Sequence, residues 1–195
     1  REQGIPVISE IELAGRYLRG KAIGITGSNG KTTTTMWLHH ILSEAGMKVG
    51  LAGNVGFSLA RQVITEDQPD YFVIELSSFQ LDDMHDFRVH IALLMNITPD
   101  HLDRYHYNFE EYALAKMRIL QNQTSEDAFI YWGEDPFIAQ YVMDHQPMPM
   151  QTLPFLTYPQ AGSAADKSDD NKLCLHFDDH QFAFHIEDLA LHGPH

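Results

Sequence analysis

The chain has 195 residues, of which 44% are hydrophobic, so it can bury the core of one full-sized domain. Acidic residues outnumber basic residues by 27 to 13, and a net charge of −14 argues against a nucleic-acid partner, because phosphate backbones require clustered lysine and arginine. We expect no membrane span, since no stretch approaches the roughly 20 apolar residues that one requires. The single cysteine, Cys174, has no internal disulfide partner, which predicts a reducing, cytoplasmic location.

In chain order, residues 1–20 read as the end of a preceding domain or a linker, and residues 21–195 as one domain. The sequence starts at Arg1 without a methionine and stops at LHGPH, where nothing signals a natural terminus. We therefore expect a fragment of a longer protein with flanking domains in the same polypeptide.

Short apolar segments alternate with helical patterns over most of the chain. The predicted strands are 21–26, 48–53, 70–76, 90–97 and 128–132, and the predicted helices are 30–45, 57–65, 108–122 and 136–143. Gly46 marks the end of the first long helix, and Asn108 is the predicted N-cap of the third, with Glu111 three residues on. The alternation predicts an α/β fold with a mostly parallel sheet flanked by helices.

The last part of the domain has a different pattern. Residues 159–172 are polar and predict a loop. The segments KLCLHF (172–177) and QFAFHI (181–186) alternate around DDH, which predicts an antiparallel hairpin at the sheet edge.

A glycine-rich turn joins the first strand to the first helix in GITGSNGKTTTT (24–35). Such a turn directs backbone N–H groups and the positive helix end at an anion, so the sheet is predicted to be of the P-loop type. Lys31 would reach the β- and γ-phosphates, and the Thr32 hydroxyl would bind Mg²⁺. The predicted nucleotide-binding residues are Gly27, Ser28, Asn29, Gly30, Lys31, Thr32 and Thr33. The alternative is a glycine-rich turn without a ligand.

The spacing GxxGxxGKTT, with Ile25 where the generic P-loop has glycine, resembles the variant loop of the Mur ligase superfamily, which includes folylpolyglutamate synthetases. ELSSFQL (75–81) and NITPDHLDRY (96–105) are most similar to the D-glutamate-adding branch. The resemblance runs from about residue 4 to the end and implies the central ATP-binding domain of a longer ligase. Such enzymes use ATP to activate a carboxylate as an acyl phosphate, which an amine then attacks. For this branch the implied substrates are UDP-N-acetylmuramoyl-L-alanine and D-glutamate.

Two residues at predicted strand ends are candidate metal ligands. Glu75 ends the apolar strand YFVI at the carboxyl edge of the sheet, where α/β proteins place their ligands, and its carboxylate can hold Mg²⁺ opposite the phosphate loop. The alternative is a solvated glutamate. His101 follows the next strand, and the resemblance makes it a ligand of a second Mg²⁺ beside the acyl phosphate, in contact with substrate.

Lys116 lies in the middle of an apolar helix face formed by Phe109, Tyr112, Ala113 and Leu120. Burial of an ammonium group there is costly unless the group is paired or modified. The alternative is a lysine that extends its head to water. The resemblance implies that CO₂ carbamylates Lys116, which makes it a ligand of the second Mg²⁺. Lys31, His101 and Lys116 are the predicted catalytic residues.

Three further positions are candidate substrate contacts. Asn54, Ser77 and Gln80 follow strand ends, and the resemblance places them near the muramoyl-peptide substrate, although each could be a turn or cap residue. Two other functions stay open: another Mur-type or folylpolyglutamate-type ligase, and a non-catalytic nucleotide-binding module. The joint presence of His101 and Lys116 argues against the module, and ELSSFQL argues against the other ligases.

Overall fold

The computed structural model describes residues 7–168, 170–177 and 179–188. Nine described strands form one sheet in the order β2-β3-β1-β4-β5-β6-β7-β8-β9. Their bounds are β1 Lys21–Thr26, β2 Val49–Gly53, β3 Tyr71–Glu75, β4 Ile91–Leu94, β5 Ala128–Trp132, β6 Gln151–Phe155, β7 Ala165–Lys167, β8 Lys172–Phe177 and β9 His180–His185. All pairings from β2 to β7 are parallel, and β8 pairs antiparallel with both β7 and β9. The predicted parallel sheet and its antiparallel edge hairpin are confirmed.

Strand β1 is third in this order, with β3 on one side and β4 on the other. Its residues from Ala22 to Thr26 are buried, as expected for a parallel strand covered on both faces. The chain leaves β1 for β2, two positions away, and later returns to β4 on the other side. The carboxyl ends of β1, β3 and β4 therefore meet at the point where α/β sheets place their ligands.

Helices cover both faces of the sheet unequally. Their bounds are α1 Glu10–Gly15, α2 Lys31–Glu44, α3 Leu59–Val63, α4 Ser78–Asp82, α5 Phe109–Met117 and α6 Pro136–Asp144. Alternate strand residues point to opposite faces, and Ile23, Ile25 and Val73 pack with Leu38 and Leu42 of α2. The other helices contribute to the main core on the opposite face. No helix in the described ranges is both long and apolar enough to cross a bilayer.

The two helix ends that cap residues predict, at Gly46 and Asn108, are both present. Ala45 is the C-cap of α2, and Gly46 follows it with φ 77°, where its N–H donates to the Ser43 carbonyl as in a Schellman turn. Asn108 caps α5 and accepts from the N–H groups of Glu110 and Glu111. Helix α5 ends at Met117 and continues as a 3₁₀ turn over Arg118–Leu120, so it is shorter than the predicted 108–122.

Four short elements were not predicted: α1, α4, β6 and β7. The predicted loop 159–172 is wrong at Ala165–Lys167, which pairs with β6 and β8 as β7. Helix α1 lies in the segment predicted to end a preceding domain, yet Ile11 and Ala14 are buried in the main core. The domain boundary at residue 20 stays a prediction, and residues 1–6 and 189–195 of the two predicted units lie outside the described residues.

Candidate functional site

The phosphate loop occupies residues 27–30, between β1 and α2. Gly27 has φ 149° and Gly30 has φ 82°, values that residues with a Cβ rarely adopt. A Cβ on Gly30 would also lie 2.8 Å from Cε of Met95. Gly24, the first glycine of the variant pattern, is instead a buried residue of β1 that packs against Val89. The loop proper therefore depends on the second and third glycines.

The backbone amides of Ser28 and Asn29 already have partners inside the protein. The N–H of Ser28 donates to the Asn96 carbonyl (2.9 Å) and to Asn96 Oδ1 (3.1 Å). The N–H of Asn29 donates to the same Oδ1 at 2.9 Å. Amides of the first helical turn lack intrahelical partners. The N–H groups from Gly30 to Thr33 are therefore the ones directed at an anion beyond the helix end, where the helix dipole also favours negative charge.

Lys31 folds back over the phosphate loop. Its Nζ donates to the carbonyls of Gly27 and Ser28, both at 2.9 Å. These bonds hold the ammonium beside the first turn of α2, where it would meet a bound phosphate. A charge-assisted bond to phosphate is stronger than one to a neutral carbonyl, so the side chain can exchange these partners for a ligand.

Glu75 connects the phosphate loop to β2. Its carboxylate is only 1% exposed, and it accepts from the Thr32 hydroxyl (2.7 Å) and from Nδ2 of Asn54 (2.8 Å). The ends of β2 and β3 can lie this close together because Gly53 has no side chain: a Cβ there would lie 2.1 Å from the Glu75 carbonyl oxygen. The structure thus brings together three predicted residues, and the solvated-glutamate alternative for Glu75 is wrong.

Lys116 is buried, with 2% of its surface exposed. The alternative in which its head reaches water is therefore wrong. Its Nζ donates to the Gly27 carbonyl at 2.8 Å, the same oxygen that Lys31 contacts, and lies 4.7 Å from the centre of the Tyr112 ring. Burial first, and the positive charge of Lys31 second, lower the pKa of Lys116 from 10.5 to about 7. Near neutral pH a substantial share of this amine is therefore uncharged.

His101 lies at the start of a 3₁₀ turn over Leu102–Tyr105 and has φ 48°, a rare backbone conformation for a residue with a side chain. Its imidazole is largely exposed, with Nε2 3.5 Å from Oδ2 of Asp100. The ring lies 5.4 Å from the Phe79 ring, which in turn stacks 6.5 Å from Tyr105. Tyr105 contacts Tyr112 at 5.5 Å, so a continuous row of aromatic rings connects His101 to the Lys116 pocket.

Ser77 and Gln80 form a reciprocal capping box at the start of α4. The Ser77 hydroxyl accepts from the Gln80 N–H (3.3 Å), and Gln80 Oε1 accepts from the Ser77 N–H (3.0 Å). The structure therefore places both residues in the cap role that the sequence left open. Their predicted substrate contacts stay predictions.

Sequence reasoning missed two residues of this region. Asn96 supplies the partners of the loop amides, and the Tyr112 hydroxyl lies 2.9 Å from Oγ of Ser28. Asn96 lies near the end of the predicted strand 90–97 and begins the distinctive motif NITPDHLDRY, which is a signal that could have identified it. Tyr112 has no such signal, because its helical spacing indicates only a core aromatic residue.

The donor atoms at Thr32 and Glu75 fit Mg²⁺, which prefers hard oxygen ligands at few protein positions. His101 and unmodified Lys116 offer only nitrogen, so the second predicted Mg²⁺ site fits the metal only if Lys116 carries a carboxylate-like group. The described residues include no cluster of three or more histidine, cysteine, aspartate or glutamate side chains suited to a metal. A metal bound here would therefore take its remaining ligands from substrate oxygens or water.

Comparison with known proteins gives consistent matches. The Mur ligase middle domain model matches residues 25–192. A UDP-N-acetylmuramoylalanine–D-glutamate ligase of Porphyromonas gingivalis is 56% identical over 192 residues, covering 98% of this chain and 42% of that protein. The ligase of the same name from Bacteroides fragilis is 54% identical over 197 residues, covering 100% of this chain and 43% of that protein. The chain therefore spans less than half the length of these curated relatives.

A solved structure shares the fold. The MurF ligase of Thermotoga maritima in complex with ADP superposes with a TM-score of 0.65 at 22% identity, over 89% of this chain and 43% of that chain. At this identity the likeness concerns the arrangement of strands and helices alone.

Proposed function

Because this chain belongs to the Mur ligase family through its middle domain, and that family consists of ATP-dependent ligases, we propose that it forms the ATP-binding domain of a D-glutamate-adding enzyme. The reaction would join D-glutamate to UDP-N-acetylmuramoyl-L-alanine in the synthesis of peptidoglycan precursors. The names and 54–56% identities of the relatives support this choice of substrates. The same proposal includes flanking domains in the full-length protein and a cytoplasmic location. The free, buried thiol of Cys174 is consistent with that location.

One structural observation carries the catalytic part of the proposal: Lys31 and Lys116 both donate to the Gly27 carbonyl. Lys31 supplies a positive charge where a polyphosphate would bind, and the partly uncharged Lys116 amine at the same oxygen can be converted to a ligand for a metal cation. The reaction brings a carboxylate to the γ-phosphate, so anions meet at this point and cations must neutralise them. A module that only stored or sensed a nucleotide has no need of the second, buried amine.

In this proposal the phosphate groups of ATP lie at the N-terminus of α2. The N–H groups from Gly30 to Thr33 and the Lys31 ammonium hold the β- and γ-phosphates. The Thr32 hydroxyl and the Glu75 carboxylate would hold one Mg²⁺, while His101 and carbamylated Lys116 would hold another near the substrate carboxylate. Bound Mg²⁺ neutralises phosphoryl oxygens and so supplies charge stabilisation in the transition state. The protein itself contributes mainly positioning, since no side chain acts as a nucleophile toward phosphorus.

Carbamylation of Lys116 follows from its surroundings. The neutral amine attacks the carbon of CO₂, a nitrogen–carbon bond forms, and one proton leaves, which gives a carbamate with a single negative charge. A pKa lowered to about 7 supplies that neutral amine at neutral pH. The carbamate would face the Lys31 ammonium across Gly27, which exchanges a repulsion between two cations for an attraction.

The muramoyl-peptide substrate would approach from the side of β2 and α4. Asn54 lies against Glu75, and Ser77 and Gln80 lie at the start of α4, the first helix after β3. All three thus stand at the carboxyl edge that carries the phosphate loop.

A screen of amine acceptors with the full-length enzyme tests the specificity: D-glutamate should be the preferred acceptor, and preference for another amino acid or a folate substrate would favour the other ligases.

Lys31→Ala should weaken Mg²⁺·ATP binding by at least about tenfold and leave the fold intact, because a charge-assisted bond contributes roughly 1.5–3 kcal/mol. Calorimetric titration measures the affinity, and circular dichroism checks the fold. Lys21→Ala is the matched control, since this exposed lysine starts β1 at the opposite edge of the sheet. Unchanged affinity in Lys31→Ala would show that the loop does not bind the phosphates.

His101→Ala should reduce turnover of the full-length enzyme by about 10²–10³-fold, while the affinity for ATP changes by less than about threefold. The reason is that His101 is assigned to charge that develops in the transition state. Steady-state kinetics and nucleotide titration separate the two effects. His106→Ala serves as control, because His106 is an exposed histidine of the same loop with a similar φ of 52°. Equal losses in affinity and turnover would instead assign His101 to the nucleotide site.

A further inference from the structure

Asn96 is the residue that holds the phosphate loop in place. It lies two residues after the end of β4, and its side-chain oxygen accepts from the N–H groups of Ser28 (3.1 Å) and Asn29 (2.9 Å). Its Nδ2 donates to the Asn29 carbonyl at 3.1 Å, and its backbone carbonyl accepts from the Ser28 N–H at 2.9 Å. One residue thus satisfies both amides and one carbonyl at the apex of the loop.

The requirements of this position are narrow. The side chain must accept two hydrogen bonds and donate one, all within reach of a backbone that passes close by. A Cβ on Gly27 would lie 3.3 Å from the Asn96 carbonyl oxygen, so little space separates the two segments. Aspartate has the same shape but only accepts, and alanine does neither. Asparagine carries its acceptor and its donor on two separate atoms, and this arrangement uses both.

The same contact joins the phosphate loop to the segment that ends at His101. Two residues after Asn96, the N–H of Thr98 donates to Oγ of Ser28 at 2.9 Å, and Nδ2 of Asn29 donates to the Thr98 hydroxyl at 3.2 Å. The chain then reaches His101 in three residues. A displacement of the loop would therefore move the start of the His101 segment with it.

We propose that Asn96 is a positioning residue that fixes the phosphate loop against β4. By holding the amides of Ser28 and Asn29 inward, it leaves the N–H groups of Gly30 to Thr33 to face the phosphates. It also sets the position of His101 relative to those phosphates. This inference rests on the proposed ATP site, and it assigns Asn96 no contact with ATP itself.

Asn96→Asp should weaken binding of Mg²⁺·ADP and of Mg²⁺·tripolyphosphate to this chain by about tenfold or more. The change removes the bond to the Asn29 carbonyl and adds a negative charge beside the phosphates. Tripolyphosphate has no base or sugar, so an equal loss for both ligands locates the effect in the phosphate loop. Calorimetric titration, at a temperature where circular dichroism shows each variant folded, gives the affinities.

The matched control is Asn122→Asp. Nδ2 of Asn122 donates to the carbonyls of His85 (2.8 Å) and Phe87 (2.9 Å), before the start of β4 at the other sheet edge. This variant loses two such bonds and gains the same charge, yet its phosphate affinity should stay within twofold of the original. Similar losses in both variants would reduce the role of Asn96 to general stability and overturn the proposal.

A second measurement does not depend on the added charge. In Asn96→Ala, hydrogen–deuterium exchange at the amide of Asn29 should accelerate at least about tenfold, because its acceptor Oδ1 is lost, whereas exchange within β1 stays unchanged. Exchange at Ser28 should change less, since its N–H keeps the bond to the backbone carbonyl of residue 96. Unaltered exchange at Asn29, or unaltered affinity in Asn96→Asp, contradicts the inference. Failure of the original chain to bind either ligand would instead refute the proposed ATP site, on which the inference rests.

Discussion

Replacing Lys116 by methionine is expected to stabilise the fold and to remove ligase activity. The 2% exposed ammonium has one hydrogen-bond acceptor and a neighbouring cation, Lys31, so a methionine of similar length should raise the free energy of unfolding at pH 7 by about 1–4 kcal/mol. Turnover of the full-length enzyme should fall by about 10²–10³-fold, because the proposed ligand of the second metal would be lost. Gain of stability with loss of activity is typical of a residue retained for function.

The stability gain should depend on pH in a defined direction. The pKa of Lys116 is lowered from 10.5 to about 7 on folding, so between these values the unfolded chain binds more protons than the folded chain. The free energy of unfolding of the original protein therefore rises from pH 7 to pH 10.5 relative to the methionine variant. The advantage of Lys116→Met is largest at or below pH 7 and disappears toward pH 10.5.

Denaturant unfolding in CO₂-free buffer, across this pH range, measures the difference. Lys167→Met is the control, since this lysine of β7 is exposed and should show no such pH dependence. With labelled bicarbonate, carbon-13 NMR should show a carbamate signal in the original protein that Lys116→Met lacks. A variant that is less stable at pH 7, or one that keeps both the signal and the turnover, would contradict the assignment of Lys116.

The long elements could be predicted because their sequence patterns are local. Strands 21–26 and 128–132 have the predicted bounds, since continuous apolar runs define buried parallel strands. Strand β6 was missed because QTLPF begins with two polar residues and contains Pro154. Its pairing with β5 supplies the order that its own residues do not favour. Helices α1 and α4 have only six and five residues, too few for a helical period to appear.

In the candidate site, too, features that depend on local sequence could be predicted and those that depend on distant contacts could not. The burial of Lys116 could be predicted, because its position on the face of α5 depends only on helical geometry. The fate of the Ser28 and Asn29 amides could not, since their partner Asn96 lies 67 or 68 residues further along the chain. A phosphate-loop pattern states that amides are available, and only the packed structure shows which of them another segment has already taken.

The other large effect concerns the chain as a whole. It contains the phosphate loop, both proposed metal positions and the cleft edge at Asn54, but it spans only 42% of its relative from Porphyromonas gingivalis. We expect it to bind Mg²⁺·ATP weakly, chiefly through phosphate contacts, because the N–H groups of the first turn of α2 and Lys31 are its evident nucleotide contacts. We expect no useful ligation of UDP-N-acetylmuramoyl-L-alanine to D-glutamate.

The reason is the contribution of positioning to the rate. Ligation requires the acyl phosphate and the amine to be held in attack geometry, and such positioning can supply roughly 7–11 kcal/mol of the barrier, or about 10⁵–10⁸ in rate. In this proposal the flanking domains hold the uridine nucleotide and the incoming amino acid. We expect this domain to gather the charges at the γ-phosphate and the flanking domains to bring the second reactant to them. Chemistry at the phosphate and selection of the amine would then belong to different parts of the enzyme.

A phosphate-release assay with both substrates and ATP tests this division, with the full-length enzyme as reference. The 195-residue chain should release phosphate at less than about one thousandth of the reference rate, even when ATP is saturating. Addition of the flanking domains as a separate polypeptide should restore part of the rate if they dock correctly. Turnover by this chain alone within tenfold of the reference would place the substrate sites inside the domain, at the carboxyl edge between Asn54 and His101.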